Sequence, residues 1–274
     1  MKEGLNSART VAFDADDTYL KTSEIYRKRS VSAASYLVIG QKYRQALEKR
    51  GLYVIDDREI DDLANQLVDK HIFPIIGNRL RKSYGVNPII MEVAVLMAAA
   101  EIGLCENDVD FVNAALEEVR SIQKVDVPEI IAGSRETMTA VKEMGVNVII
   151  VTHAGEEWAN KKNEKYKIPY VTFCLDVNRT KSEQWEEFFE REGIEPSNFV
   201  IIGDSFWEDI WVPVFEKGAS GVLLREKGHV YDYMEGMDER KLVILQKAIY
   251  EERFVVAKGI WEKERIINAL QQFS

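Results

Sequence analysis

Residues 11–18 of the chain read VAFDADDT, a short apolar run that stops at a cluster of carboxylates and a threonine. Two later segments have the same form: residues 146–151, VNVIIV, meet Thr152, and residues 199–202, FVII, meet Gly203 and Asp204. Further short apolar runs follow at residues 170–175, 222–224 and 254–257. Continuous apolar runs that alternate with helical patterns are typical of strands covered on both faces. The sequence therefore predicts an α/β fold with a parallel sheet.

The helices between these strands have recognisable ends. Ser134 is predicted to cap a helix over residues 134–144 that stops at Gly145. A second helix, over residues 182–192, ends at Gly193 and places three aromatic residues on one face as core contacts: Trp185, Phe188 and Phe189. The stretch from residue 227 onward is predicted to be a loop followed by a helix, a strand and a helix.

Residues 21–127 differ from the rest of the chain, because they show helical periodicity and almost no strand-like runs. Helices are predicted over residues 60–68, 89–102 and 109–122. A segment of this length is large enough to be a domain. We therefore expect a core formed by residues 1–20 and 128–274, and a helical insertion formed by residues 21–127.

The start of this insertion is basic in an otherwise acidic protein. Residues 21–50 contain eight Lys or Arg and two Glu, whereas the whole chain of 274 residues has a formal charge of −10. The simplest interpretation is a solvated helix face. The alternative is that a few of these side chains, Lys21, Arg27, Lys28 or Arg29, face a cleft and steer an anionic substrate.

Composition excludes several classes of protein. The acidic balance argues against a protein that coats nucleic acid. Cys105 and Cys174 are too few for a disulfide scaffold and fit a reducing cytoplasm. The N-terminus has no signal-peptide core, and no apolar stretch is long enough to span a membrane. The three histidines are scattered, so no zinc site can be built at the usual spacings.

Polar residues follow three of the predicted strands: Asp14 with Asp16, Thr152, and Asp204. Ligands of open α/β sheets bind beyond the carboxyl ends of the strands, so these residues should converge if the strands are neighbours. Two carboxylates about 4 Å apart repel by roughly 4 kcal/mol at an effective dielectric of 20, and the cluster therefore calls for a cation. Oxygen ligands favour Mg²⁺. Lys181, just before a helix, could reach the same pocket and hold an anion.

The order of these motifs resembles that of the haloacid dehalogenase (HAD) superfamily of phosphohydrolases. Its first motif corresponds to residues 13–18, FDADDT, and its second to the strand that ends at Thr152. Its third motif corresponds to Lys181, although Ser182 follows where many relatives have proline. Its fourth corresponds to residues 203–205, GDS, with Asp209. The resemblance covers about residues 8–20 and 128–225.

The resemblance implies a role for each aspartate. Asp14 is expected to be the nucleophile that forms an aspartyl phosphate, and Asp16 the general acid/base. The carboxylates of Asp14 and Asp204 and the backbone carbonyl of Asp16 are expected to coordinate Mg²⁺. Asp209 is expected either to support the metal or to orient Lys181.

The remaining motif residues are expected to bind substrate or to support the site. Thr152 and Lys181 should hold the phosphoryl oxygens, and Thr18 should brace the loop. His153 stands where relatives commonly have Asn or Gly, and it is a candidate substrate contact. The insertion after the first motif resembles the helical C1 cap of the superfamily, which closes over small-molecule phosphates.

Together these features predict a Rossmann-like three-layer core with a helical cap. The predicted function is Mg²⁺-dependent hydrolysis of a small phosphorylated metabolite in the cytoplasm, without a nucleic-acid or membrane partner. The oligomeric state and the substrate stay open. A phosphomutase or phosphotransferase of the same superfamily is the first alternative, and a non-enzymatic phospho-acceptor or ligand-binding protein is the second. Dehalogenase members are disfavoured because they lack the second aspartate of the first motif.

Overall fold

A computed structural model describes residues 9–52, 56–77, 89–104, 108–122, 127–225, 233–234 and 237–273. Cys105, part of the predicted insertion border at 125–128 and most of the predicted loop at 228–240 lie outside these residues. The chain divides into two compact units. The first comprises Met1–Lys21 and Glu129–Ser274, and the second comprises Thr22–Pro128.

The first unit is built on one sheet of six parallel strands, which confirms the predicted α/β fold. The strands are β1 (Thr10–Phe13), β2 (Asn147–Thr152), β3 (Val171–Cys174), β4 (Phe199–Gly203), β5 (Ser220–Leu224) and β6 (Phe254–Ala257). Their order in the sheet is β3-β2-β1-β4-β5-β6. Each of the six predicted runs therefore forms a strand, with ends that differ by at most two residues.

The register of the three central strands positions the site. Phe13 of β1 is paired with Ile150 of β2 on one side and with Ile202 of β4 on the other. The three strands therefore end within two residues of the same level, and the residues that follow them meet at one edge of the sheet. This edge is the one at which open α/β sheets bind ligands.

Both faces of the sheet are covered, and this explains the continuous apolar runs. On one face Ala12, Ile149 and Ile201 pack in a cluster with Trp185 and Phe188. On the other face Val11, Ile150 and Val200 belong to a second cluster, which includes Met138 and Ile266 from flanking helices. The result is the predicted three-layer, Rossmann-like arrangement.

The helices of this first unit, in chain order after the insertion, are α5 (Ser134–Glu143), α6 (Glu156–Tyr166), α7 (Trp185–Glu192), α8 (Glu239–Tyr250) and α9 (Lys263–Gln272). Short 3₁₀ turns lie at Ser182–Gln184 and Pro196–Asn198, and a π-helix spans Phe206–Glu216. The helix–strand–helix order predicted after residue 227 is confirmed by α8, β6 and α9.

One predicted cap is wrong. Ser134 is the first helical residue of α5, and the N-cap is Gly133, with φ of 83°. The Ser134 hydroxyl donates to the carbonyl of Tyr19 at 3.4 Å and so does not cap the helix. Gly133 is required there because a Cβ would lie only 3.0 Å from Cα of Trp261. The predicted stop at Gly145 is confirmed by its φ of 79°.

The secondary-structure elements described in the second unit are all helical. It contains α1 (Thr22–Glu48), α2 (Asp57–Leu67), α3 (Ile89–Glu101) and α4 (Val109–Arg120), with a π turn at Val68–Ile72 and a short helical turn at Phe73–Ile75. Asp56 caps α2 by accepting hydrogen bonds from the backbone N–H groups of Arg58 and Glu59. Buried residues of all four helices, among them Leu37, Ala64, Ala94 and Leu116, form a separate hydrophobic core.

Several basic side chains of α1 form ion pairs inside this second unit. Arg27 contacts Asp69 at 2.8 Å, and Arg29 contacts Glu118 at 2.8 Å. Lys42 is paired with Glu59. These carboxylates offset much of the local positive charge, which favours the interpretation of α1 as a solvated, ion-paired face.

Candidate active site

The loop after β1 places two aspartates at the edge of the sheet. The backbone N–H of Asp14 extends the β-sheet by donating to the carbonyl of Ile202 at 2.9 Å. Asp17 then adopts a left-handed φ of 58°, and its N–H donates to Leu20 at 2.7 Å. Aspartate tolerates this conformation better than most residues. The turn brings the Thr18 hydroxyl within 3.3 Å of Oδ2 of Asp14, so Thr18 braces the loop as expected.

Lys181 is buried at the centre of this site. Its Nζ donates to Oδ1 of Asp14 at 2.7 Å, to Oδ1 of Asp209 at 2.5 Å and to the carbonyl of Val151 at 3.1 Å. Burial opposes the charged ammonium, but Asp14 and Asp209 together outweigh it and raise the pKa of Lys181. The ammonium therefore stays charged and fixes the two carboxylates that it contacts.

Three carboxylates crowd beside this lysine. Asp14, Asp204 and Asp209 each offer an oxygen, and these oxygens lie within 4.8 Å of one another. Burial, reinforced by repulsion from Asp209 and Asp16, raises the pKa of Asp14 to about 7 despite the opposing effect of Lys181. Burial and repulsion by Asp209 and Asp14 raise the pKa of Asp204 well above its usual range. Such a set of hard oxygen donors fits a divalent cation such as Mg²⁺.

The π-helix brings Asp209 into this cluster through a close backbone approach. A Cβ at Gly203 would overlap the carboxylate of Asp209. Oδ2 of Asp209 accepts a hydrogen bond from the N–H of Ser205 at 3.0 Å, while Oδ1 contacts Lys181. Asp209 therefore belongs to the acidic cluster and also contacts the lysine.

Asp16 points to a different lysine, which the sequence motifs do not identify. Its Oδ1 is ion-paired with Nζ of Lys162, from α6. The Lys162 side chain is only 2% exposed, whereas that of Asp16 is 33% exposed. One signal was present in the sequence: Lys162 shares helical spacing with Trp158 and Ala159, which form the buried face of α6.

Thr152 and His153 lie at the end of β2. Thr152 is buried, and its hydroxyl accepts a hydrogen bond from the N–H of Ala154 at 3.2 Å. Nε2 of His153 lies 2.9 Å from the carbonyl of Asp176, so this nitrogen carries the proton in the hydrogen bond. Burial lowers the pKa of His153, which favours the neutral imidazole at neutral pH. A role of His153 in substrate binding stays a prediction.

Glu208 is a second residue that the sequence analysis missed. Its Oε2 accepts hydrogen bonds from the N–H groups of Lys181 at 2.7 Å and Ser182 at 3.2 Å. Glu208 thus ties the start of the 3₁₀ turn before α7 to the π-helix that carries Asp209. Its position directly before Asp209 in the fourth motif was the available signal.

Comparison with known proteins agrees with this arrangement. Residues 8–212 match the family described as haloacid dehalogenase-like hydrolase. The chain therefore belongs to the haloacid dehalogenase-like hydrolases, and it is an enzyme of that family. No curated protein matches the sequence at a significant level.

Solved structures of the same family share the fold. A HAD-like family hydrolase from Xanthomonas campestris has a TM-score of 0.63 and 18% identity, with 97% of this chain and 98% of that chain covered. YfnB from Bacillus subtilis, a HAD-type protein bound to magnesium, has a TM-score of 0.53 and 14% identity, with 96% and 100% covered. The L-2-haloacid dehalogenase from Xanthobacter autotrophicus has a TM-score of 0.53 and 11% identity, with 96% and 99% covered.

Proposed function

We propose that this hydrolase is a Mg²⁺-dependent phosphatase that acts on a small phosphorylated metabolite. The observation that carries the proposal is the pair of aspartates after β1. Asp14 is held by Lys181 beside an acidic cluster, while Asp16, two residues later, is held separately by Lys162. This separation gives the two carboxylates different surroundings and therefore different chemical roles.

The proposed cation site uses residues that suit the ion. The carboxylates of Asp14 and Asp204 and the backbone carbonyl of Asp16 would hold Mg²⁺, with Asp209 supporting the site. When bound, Mg²⁺ supplies positive charge that offsets the repulsion between the carboxylates and the phosphoryl oxygens. The magnesium bound to YfnB supports this assignment.

The chemistry proceeds in two displacements. In the first, a carboxylate oxygen of Asp14 bonds to phosphorus while the bond from phosphorus to the leaving oxygen breaks, and Asp16 donates its proton to that oxygen. In the second, a water oxygen bonds to phosphorus while the bond from phosphorus to the Asp14 oxygen breaks, Asp16 takes the water proton, and inorganic phosphate leaves the regenerated Asp14 carboxylate. Lys181 and the Thr152 hydroxyl hold the phosphoryl oxygens, and His153 contacts the rest of the substrate.

Dehalogenation is the main competing activity, since haloacid dehalogenases share the fold. A halide leaves as a stable anion, so dehalogenation needs no acid at the leaving group. The chain nevertheless has a second, partly exposed carboxyl group, Asp16, two residues after the nucleophile, and Lys162 holds it in place. This favours an oxygen leaving group that must be protonated, and hence a phosphate ester.

The proposal also assigns a role to the helical unit and a cellular location to the protein. We expect Thr22–Pro128 to act as a cap that closes over a small substrate and excludes water. The scarcity of cysteine favours the cytoplasm. Among the described residues, no helix has the length and apolar character needed to cross a bilayer.

A substrate screen tests the proposed function. The purified protein is incubated with Mg²⁺ and a panel of phosphorylated metabolites, and free phosphate is measured. Parallel reactions with 2-haloacids are assayed for halide. The proposal is supported if the wild type releases phosphate, if chelator abolishes this release, and if Asp14→Asn releases none. Halide release without phosphate release, or isomerised phosphate esters without free phosphate, contradicts it.

A further inference from the structure

Lys162 is a buried lysine in contact with the candidate active site. Its side chain is 2% exposed, and its Nζ lies 5.3 Å from the ring centre of Trp158. An ammonium group is costly to bury unless it is paired and hydrogen-bonded. The ion pair with Asp16 supplies that partner, so the position of Lys162 depends on the first motif.

The pair is asymmetric in a way that points to a function. Asp16 is 33% exposed, so water alone could solvate its carboxylate. The fold nevertheless places a buried lysine against it. Asp14 forms an ion pair with a different lysine, Lys181, and Lys181 also forms an ion pair with Asp209. Each aspartate of the motif is therefore anchored by a separate buried ammonium group.

We propose that Lys162 is a positioning residue for Asp16, which rests on the proposed role of Asp16 as general acid/base. Its ammonium, bound to Oδ1, restricts rotation of the carboxyl group and holds it where it exchanges a proton with the reacting oxygen. Proton transfer depends strongly on such alignment. Lys162 itself gains and loses no proton in either displacement, because Asp16 donates one proton and recovers one from water.

Substrates with different leaving groups distinguish a positioning role of Lys162 from a merely structural one. p-Nitrophenolate leaves without a proton, whereas an alkoxide must be protonated as it leaves. The ratio kcat/KM reports the steps up to formation of the aspartyl phosphate. Loss of Asp16 alignment should therefore lower kcat/KM for an alkyl phosphate and spare that for p-nitrophenyl phosphate.

The experiment compares Lys162→Met with Lys165→Met, which removes a lysine from an exposed position of the same helix. For the alkyl phosphate that the wild type hydrolyses fastest, we expect Lys162→Met to lower kcat/KM by about 10- to 100-fold, a part of what general acid catalysis contributes. With p-nitrophenyl phosphate the change should stay within about threefold. Lys165→Met should match the wild type with both substrates.

A transient measurement checks the second displacement. Because Asp16 also activates water, slower hydrolysis of the aspartyl phosphate in Lys162→Met should produce a burst of p-nitrophenolate close to one per enzyme. Lys162→Gln keeps a neutral N–H donor and should recover part of the loss. It also serves as the test variant if Lys162→Met does not fold.

Different failures point to different conclusions. Equal losses of kcat/KM with both esters, or no loss relative to Lys165→Met, would overturn the role of Lys162. The role of Lys162 alone is then wrong, provided that Asp16→Asn still lowers kcat/KM for the alkyl phosphate more than for p-nitrophenyl phosphate. If the wild type releases no phosphate, or if Asp16→Asn is fully active, the proposed function itself is wrong.

Discussion

Asp14 is the residue whose charge matters most to the proposed reaction. Replacement by Asn keeps its shape and its contact with Lys181 but removes the attacking carboxylate. We expect phosphatase turnover to fall to background. Because burial disfavours the charged carboxylate, the neutral amide should leave the melting temperature in chelator unchanged or raised. Steady-state assays and thermal melts measure both effects.

The matched control is Asp110→Asn, on an exposed position of α4 in the helical unit. This variant should retain wild-type turnover and stability, since surface substitutions usually change stability by less than about 0.5 kcal/mol. Near-normal turnover of a well-folded Asp14→Asn protein would remove Asp14 from the mechanism.

At the scale of single elements, the 3₁₀ turn before α7 is held in place by Glu208. Glu208→Ala leaves the N–H groups of Lys181 and Ser182 without this acceptor. We expect a loss of about 0.5–2 kcal/mol in unfolding free energy, as for removal of a helix cap. Because Lys181 is expected to hold the phosphoryl oxygens, KM should rise as well. Urea denaturation and steady-state kinetics measure the two effects.

Glu208→Gln provides the control, because its amide oxygen can still accept the same hydrogen bonds. It should recover most of the stability and part of the affinity. If Glu208→Ala changes stability but leaves KM as in the wild type, the contact serves the fold and not the placement of Lys181.

The strands and their terminal residues were predictable from sequence because a parallel sheet buried on both faces requires continuous apolar runs. The register of β1, β2 and β4, whose ends lie within two residues of the same level, then brings Asp14, Thr152 and Asp204 to one edge. Lys162 and Glu208 could not be identified in this way. Each looks like an ordinary charged residue of an amphipathic helix, and only the tertiary packing shows which carboxylate or N–H group it contacts.

On the scale of the whole molecule, the basic start of α1 was open to two interpretations. Arg27 forms an exposed ion pair with Asp69, and such pairs contribute about 0.2–1 kcal/mol to stability. We expect Arg27→Ala to lower the free energy of unfolding by an amount in this range and to leave KM for the true substrate unchanged. Kinetics at low and high salt check this. A KM that rises at low salt and converges with the wild-type KM near 1 M salt would instead support steering of the substrate.

The stability of the whole protein should depend on pH through Asp14. In the metal-free protein its pKa is raised to about 7, mainly by burial, whereas the unfolded chain has a value near 3.9. Between these values the folded state retains a proton that the unfolded state has released. The Asp14 contribution to stability is therefore present below about pH 4 and is lost as pH rises through about 7.

Magnesium should reverse this trend, because a cation binds the ionised carboxylate in competition with the proton. Stabilisation by Mg²⁺ should therefore be larger near pH 8 than near about pH 5.5. Urea denaturation in chelator or excess Mg²⁺ measures this at each pH, and Asp14→Asn serves as the reference that subtracts the titration of other groups. The free energy of unfolding of the wild type minus that of Asp14→Asn should fall with rising pH in chelator but not in excess Mg²⁺. A difference that is flat with pH in chelator would contradict the raised pKa of Asp14. A Mg²⁺ effect of equal size in both proteins would show that Asp14 is not a ligand of the cation.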